Sequence, residues 1–136
     1  VLALCAGAPN IVVILTDDQD LELDGMRNMP KTRNAFSTGV ELTNYFVTTP
    51  VCCPSRTAML SGVYSHNLDN QNQGWCGNFS AGAINATFAV PLHEAGYRTG
   101  LFGKFVNDQC GESSGEYFVP VGWDRWYAMC SDNKYF

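Results

Sequence analysis

Three short polar clusters carry residue types that could together handle a tetrahedral anion. Asp17-Asp18 stands directly after an apolar run. Adjacent carboxylates raise each other's proton affinity unless a cation lies between them. Oxygen-only ligation favours a hard divalent ion, Ca²⁺ or Mg²⁺, over zinc. Acids at such a place also cap turns, and spacing alone leaves both readings open. Cys52-Cys53-Pro54-Ser55-Arg56 puts a thiol at the entrance of an expected helix, whose unpaired N–H groups and dipole favour an anion. Arg56 adds a planar fork of donors suited to a tetrahedral oxyanion. Read from the residues alone, the thiol is itself a nucleophile activated by the helix end and Arg56, or else half of a structural disulfide. The third cluster is Gly103-Lys104, which closes another apolar segment.

Positioning these clusters requires a scaffold, and the hydrophobic pattern supplies one. Ile11 to Leu15 is an unbroken run of branched apolar residues, the pattern of a strand buried on both faces in a parallel sheet. Pro30 to Thr38 suits a helix, with Pro in its first turn and Gly39 placed to end it in the left-handed conformation. Val40 to Val47 reads as a second strand. Ser55 to Ser61 reads as a second helix, with Pro54 near its start and Gly62 past its end. Residues 65 to 85, rich in Asn, Gln, Gly and Ser, read as a surface loop. Ala86 to Ala95 is a third helix closed by Gly96, and Tyr97 to Phe102 a third strand. No element is assigned from Asn107 onward. This order begins an α/β doubly wound sheet, in which ligands bind beyond the carboxyl ends of the strands. Asp17-Asp18, Cys52 to Arg56 and Lys104 would then meet on one sheet edge.

Composition narrows the class of partner. The 136 residues carry 8 Lys+Arg against 13 Asp+Glu, a formal charge of -5, with 46% hydrophobic side chains. That is a globular composition, which excludes disordered and collagen-like classes. Five of the acids, Asp17, Asp18, Asp20, Glu22 and Asp24, fall within eight residues, and the remainder of the chain is neutral. With no basic cluster, nucleic acid is not an expected partner. No run of eighteen apolar residues occurs, so no membrane-spanning helix is expected. Val1 to Ala8 reads as the remnant of a signal peptide, and 9–136 as part of a catalytic domain. Two sequons, Asn78-Phe79-Ser80 and Asn85-Ala86-Thr87, agree with export.

Six cysteines stand at 5, 52, 53, 76, 110 and 130. Neighbours Cys52 and Cys53 would form a strained ring if joined to each other. One of them, with Cys76, Cys110 and Cys130, is available for bridges whose connectivity spacing does not fix. No C-x-x-C occurs, and His66 and His93 lack zinc-finger spacing.

Cys52-Cys53-Pro54-Ser55-Arg56, followed by Met59-Leu60-Ser61-Gly62, resembles the C-x-P-S-R signature of the sulfatase family. Pro9 through Gln19, Asn44 to Pro50, Ala95 to Lys104 and Pro120 to Trp123 are similar to the branch containing arylsulfatases, glucosamine-6-sulfatases and extracellular heparan sulfatases. The resemblance spans about residues 9 to 127 and implies an alkaline-phosphatase-like α/β fold with a central, mostly parallel sheet. It implies that Cys52 is oxidised to formylglycine by a formylglycine-generating enzyme, and that a hydroxyl of the hydrated aldehyde attacks the sulfur of a sulfate ester. Asp17 and Asp18, with the converted Cys52, would ligate Ca²⁺, a Lewis acid at the sulfate. Arg56 would hold the formylglycine and Lys104 the sulfate. Cys53, at the variable position, would serve packing.

One departure is specific. Many sulfatases carry His two residues after the lysine, whereas this chain has Val106 followed by Asn107. Further ligands, a Lys and a His come from later parts of the family's chains. His66, near the exit of the motif's helix, is a candidate for facing substrate. The implied substrates are aryl or glycan sulfates, in a secreted or lysosomal setting. The competing expectations are a formylglycine phosphonate or phosphodiester hydrolase and an inactive sulfatase-like chain.

Overall fold

A computed structural model describes residues 7–68, 85–107 and 119–129 of the chain. Two compact units divide it, Val1–Glu41 and Leu42–Phe136.

In the first unit, the expected strand at Ile11 to Leu15 forms no ladder, and its side chains are 47% to 81% exposed. Strand geometry is held by a neighbouring strand, and the described residues of this unit offer none. The acidic segment that follows folds on local hydrogen bonds. Asp20 Oδ1 accepts the N–H of Leu23 at 2.7 Å, so among these acids Asp20 is a turn cap. A 3₁₀ turn, Gly25–Asn28, leads into helix α1, Pro30–Ala35, with Pro at its first position. The helix stops short of the expected Thr38. Ser37 donates both its hydroxyl, at 2.8 Å, and its N–H, at 3.2 Å, to the carbonyl of Asn34, so the terminal acceptor is already satisfied. Gly39 therefore has no left-handed role and is absent from the residues with positive φ.

The expected strand Val40 to Val47 is also absent. Thr43 and Asn44 form a turn inside the run, and Val40, Leu42, Tyr45, Phe46 and Val47 are exposed. Helix α2, Cys52–Ser61, starts three residues before the expectation. Pro54 occupies its third position, where a missing N–H breaks no intrahelical bond, and the ladder begins with the Ser55 N–H to the Val51 carbonyl at 3.0 Å. Cys53, Thr57 and Leu60, spaced by four and three, are all buried and define the inward face. Gly62 ends the helix at φ 70, with its N–H on the Ala58 carbonyl at 2.9 Å, as the sequence implied.

A one-turn 3₁₀ segment, Ser65–Asn67, opens the expected loop, and 69–84 lie outside the described residues. Helix α3, Ala89–Glu94, repeats the arrangement of α2 with Pro91 at its third position. It is shorter than expected because Asn85 to Phe88 form turns, and the Phe88 N–H is drawn onto the last-turn carbonyl of Leu60 at 2.8 Å. Gly96, at φ 88, follows it as expected.

Strand β1, Gly100–Gly103, starts three residues into the expected third strand and runs one residue beyond it. Strand β2, Arg125–Ala128, had no sequence expectation. The two pair in parallel, with Leu101 opposite Trp126 and Phe102 opposite Tyr127. Parallel pairing requires a crossover, here residues 104–124, and is the local signature of an α/β fold. One face of the pair carries Leu101 and Trp126 into a core of Cys53, Leu60, Phe105 and Val106. The other carries Phe102 stacked on Tyr127, with ring centroids 5.1 Å apart.

The turn before β2 is fixed by close contact. Gly122 has φ 92, and a Cβ there would lie 2.7 Å from the backbone nitrogen of Val90. Only glycine lets this turn sit against the start of α3.

Candidate active site

The two predicted clusters of the second unit converge through a single buried side chain. Cys52 and Arg56 are four residues apart in α2 and therefore share one helix face. Cys52 is half-buried at the first helical position, where first-turn amides lack intrahelical acceptors. Arg56 is only 7% exposed. Its Nη1 donates to the backbone carbonyl of Lys104 at 2.7 Å, across 48 residues of sequence. Charge-assisted bonds of this length are among the stronger ones, and burial raises the cost of losing one.

Lys104 is half-buried and follows β1 directly, as expected. Its backbone is held on three sides. The carbonyl of Gly103 accepts the N–H of Met129 at 2.9 Å, Arg56 holds the Lys104 carbonyl, and Phe105 is buried edge-on against Trp126 with centroids 5.0 Å apart. Val106, where many sulfatases place His, is 4% exposed and belongs to the core. At that position this chain contributes packing.

The adjacent cysteines separate by helix face. Cys53 points into the core and is disulfide-bonded, whereas Cys52 remains a thiol. Cys5, Cys76, Cys110, Cys130 and the sequon residue Asn78 lie outside the described residues. His66 is exposed and stacks on Tyr64, with centroids 5.6 Å apart. It lies beyond the far end of the ten-residue α2, so about 15 Å of helix separates its turn from Cys52.

Asp17 and Asp18 belong to the first unit. Asp17 is half-buried, and Asp18 is exposed with φ 49, a left-handed conformation that Asp tolerates better than most residues.

Sequence reasoning passed over a hydrogen-bonded node that aligns β1 with β2. The carboxylate of Asp124 accepts the N–H of Thr99 at 2.8 Å, while Thr99's carbonyl accepts the N–H groups of Asp124 at 3.1 Å and Arg125 at 3.0 Å. The Thr99 hydroxyl donates to the carbonyl of Gly122, and His93 Nδ1 lies 3.3 Å from Asp124 Oδ2. The Thr99 N–H, ahead of the Thr99 hydroxyl and His93, holds the Asp124 carboxyl below the usual carboxylate range, against partial desolvation. Asp124 thereby ties the residue before β1 to the residue before β2. The turn-forming Gly122-Trp123-Asp124 was the available signal.

Residues 9–136 match the family model described as Sulfatase. The chain belongs to the sulfatase family. Its relatives include the extracellular sulfatase SULF-1 homolog of Drosophila melanogaster, 39% identical over 132 residues covering 94% of this chain and 11% of that protein. The N-acetylglucosamine-6-sulfatase of Homo sapiens is 36% identical over 146 residues, covering 100% of this chain and 26% of that protein. An arylsulfatase of Volvox carteri is 41% identical over 127 residues, covering 85% and 19%. The chain thus spans a tenth to a quarter of the length of these relatives. No solved structure matches it significantly. Sulfatase membership implies an alkaline-phosphatase-like fold, to which the described residues contribute a small parallel sheet with helices. Among the described residues no helix is long and apolar enough to cross a membrane.

Proposed function

We propose that this chain supplies part of the active site of a sulfuric ester hydrolase that cleaves aryl or carbohydrate sulfates. The observation that carries the reading is the bond from Arg56 to the Lys104 carbonyl, which joins the C-x-P-S-R helix to the Gly-Lys segment. Cys52 is the residue converted by a formylglycine-generating enzyme, and formylglycine supplies a hydrated aldehyde as nucleophile. The disulfide of Cys53 supports Cys52 as the converted residue. Arg56 orients the converted residue, and Lys104 offsets charge on the sulfate as the leaving oxygen departs. The carboxylates of Asp17 and Asp18 and the oxygen of the converted Cys52 are a hard donor set that fits Ca²⁺, which supplies Lewis acidity at the sulfate.

The relatives named as extracellular and N-acetylglucosamine sulfatases support a secretory route, with a secreted or lysosomal destination and a glycan sulfate as substrate. The test uses full-length protein made with a formylglycine-generating enzyme. Peptide mass spectrometry finds the aldehyde at Cys52, and turnover of an aryl sulfate exceeds that of the matching aryl phosphonate and phosphate diester. An unmodified Cys52 in active protein, or preference for the phosphonate, overturns the assignment.

A further inference from the structure

We infer that Asn85 carries an N-linked glycan and that the hydroxyl of Thr87 serves its attachment, before the segment folds. The inference rests on the secretory reading above. Asn85-Ala86-Thr87 is an acceptor sequon, but the folded chain gives a second and independent reason to single it out. Thr87 is 1% exposed, and its Oγ1 has no hydrogen-bond partner among the described residues. Thr87 stands one residue before Phe88, the N-cap of α3, and its hydroxyl makes no cap bond to that helix. A buried hydroxyl left unpaired costs about 1–3 kcal/mol. Valine would fill nearly the same space without that cost. The described residues of the folded state give the hydroxyl no partner, and we assign its use to the unfolded chain, where a glycosyltransferase reads the hydroxyl two residues after the acceptor asparagine.

Asn85 is compatible with the product. It is half-buried, and its Oδ1 accepts the N–H of Val121 at 3.2 Å. The carboxamide has its acceptor and donor on separate atoms, so substitution at Nδ2 leaves the bond to Val121 intact. In the transfer, Nδ2 forms a bond to the anomeric carbon of a lipid-pyrophosphate-linked oligosaccharide. The bond from that carbon to the pyrophosphate oxygen breaks, the lipid pyrophosphate departs, and one proton leaves the nitrogen. Once Val121 has closed onto Asn85 and Thr87 is buried, the sequon is no longer readable, so attachment precedes that closure.

The experiment expresses the full-length protein with an added export leader in glycosylating cells, which makes it independent of the native destination. Occupancy at Asn85 is read by peptide mass spectrometry after enzymatic glycan release in heavy-oxygen water. Wild type and Thr87→Ser carry the glycan, and Thr87→Val loses it. With glycosylation blocked in both, Thr87→Val melts at the same temperature as wild type or higher. Folded protein made without glycosylation and offered to microsomal membranes gains no glycan at Asn85, while the same protein unfolded does. An unoccupied Asn85 in wild type, a glycan retained in Thr87→Val, or a lowered melting temperature in that variant overturns the inference.

Discussion

Arg56 holds the backbone of Lys104, not its side chain: Nη1 of the guanidinium donates to the Lys104 carbonyl at 2.7 Å. A buried cation on the motif helix thereby holds the backbone where the chain leaves β1. The bond to the Lys104 carbonyl and the proposed role of the Lys104 side chain can therefore be tested separately.

Arg56→Ala removes the donor and leaves the Lys104 carbonyl without it. A loss of about 1–3 kcal/mol is expected in urea denaturation of the full-length protein, together with reduced turnover. Arg56→Lys keeps the charge without the planar fork, and is expected to recover part of the stability and little of the rate. Wild-type stability in Arg56→Ala would show that the bond does not hold the segment.

For the metal, Asp17→Asn and Asp18→Asn in full-length protein are expected to lower bound Ca²⁺ and turnover together, since hard-cation affinity follows ligand charge. Asp18 makes this a clean substitution. Its φ of 49 is one that Asn also adopts readily, so the variant loses charge without straining the backbone. Calcium content and rate both unchanged in Asp17→Asn would return the pair to a turn-capping role.

Much of the second unit was legible because its signals are local. Gly62 and Gly96 ended their helices as read, and Lys104 followed a strand as read. Helix starts were misplaced in both directions: α2 begins three residues before Ser55 and α3 three residues after Ala86, and in each a proline, Pro54 or Pro91, sits at the third position, where the missing N–H breaks no intrahelical bond. The runs Ile11 to Leu15 and Val40 to Val47 show the opposite failure. Their composition suits strands, but a strand is made by its neighbour, and the sequence of a run says nothing about whether one is at hand. Strand β2 was missed for the same reason, since Arg125–Ala128 is defined by its pairing with β1 and only four residues long. Of the site, the residue types were readable from the motif, and the contact joining Arg56 to Lys104 was not, because a side chain to backbone bond across 48 residues leaves no periodic trace.

Acid should act on the Asp124 node in a defined direction. Its folded carboxyl lies below the ordinary value of 3.8, chiefly through the Thr99 N–H, so the unfolded chain binds the proton first. Stability from this group is therefore fully present above about pH 4 and is lost as pH falls through the lowered folded value. Asp124→Asn is expected to be less stable than wild type at neutral pH, with the gap narrowing as the pH drops below 3.8. Melting curves of both proteins across that range check the sign. A gap that widened on acidification would mean that Asp124 is not held as the anion by Thr99 and His93.

Lys104 offers the sharpest separation of catalysis from binding and from folding. Because Arg56 grips its carbonyl, truncating the side chain in Lys104→Ala leaves that bond in place, and urea denaturation of the variant reads any folding effect separately from the rate. If the ammonium contacts the sulfate more strongly as charge moves to the leaving oxygen, kcat and kcat/KM fall together, because the lost interaction belongs to the transition state. Removing one preorganised electrostatic contact typically costs roughly 10²–10³-fold. Lys104→Arg should rescue little, since a planar fork does not reproduce a compact ammonium. A residue that merely binds sulfate would instead raise KM and leave kcat near wild type. That second pattern, measured in full-length enzyme whose Cys52 is shown to be converted, would remove Lys104 from the catalytic residues while leaving the Arg56 bond to its backbone as its structural role.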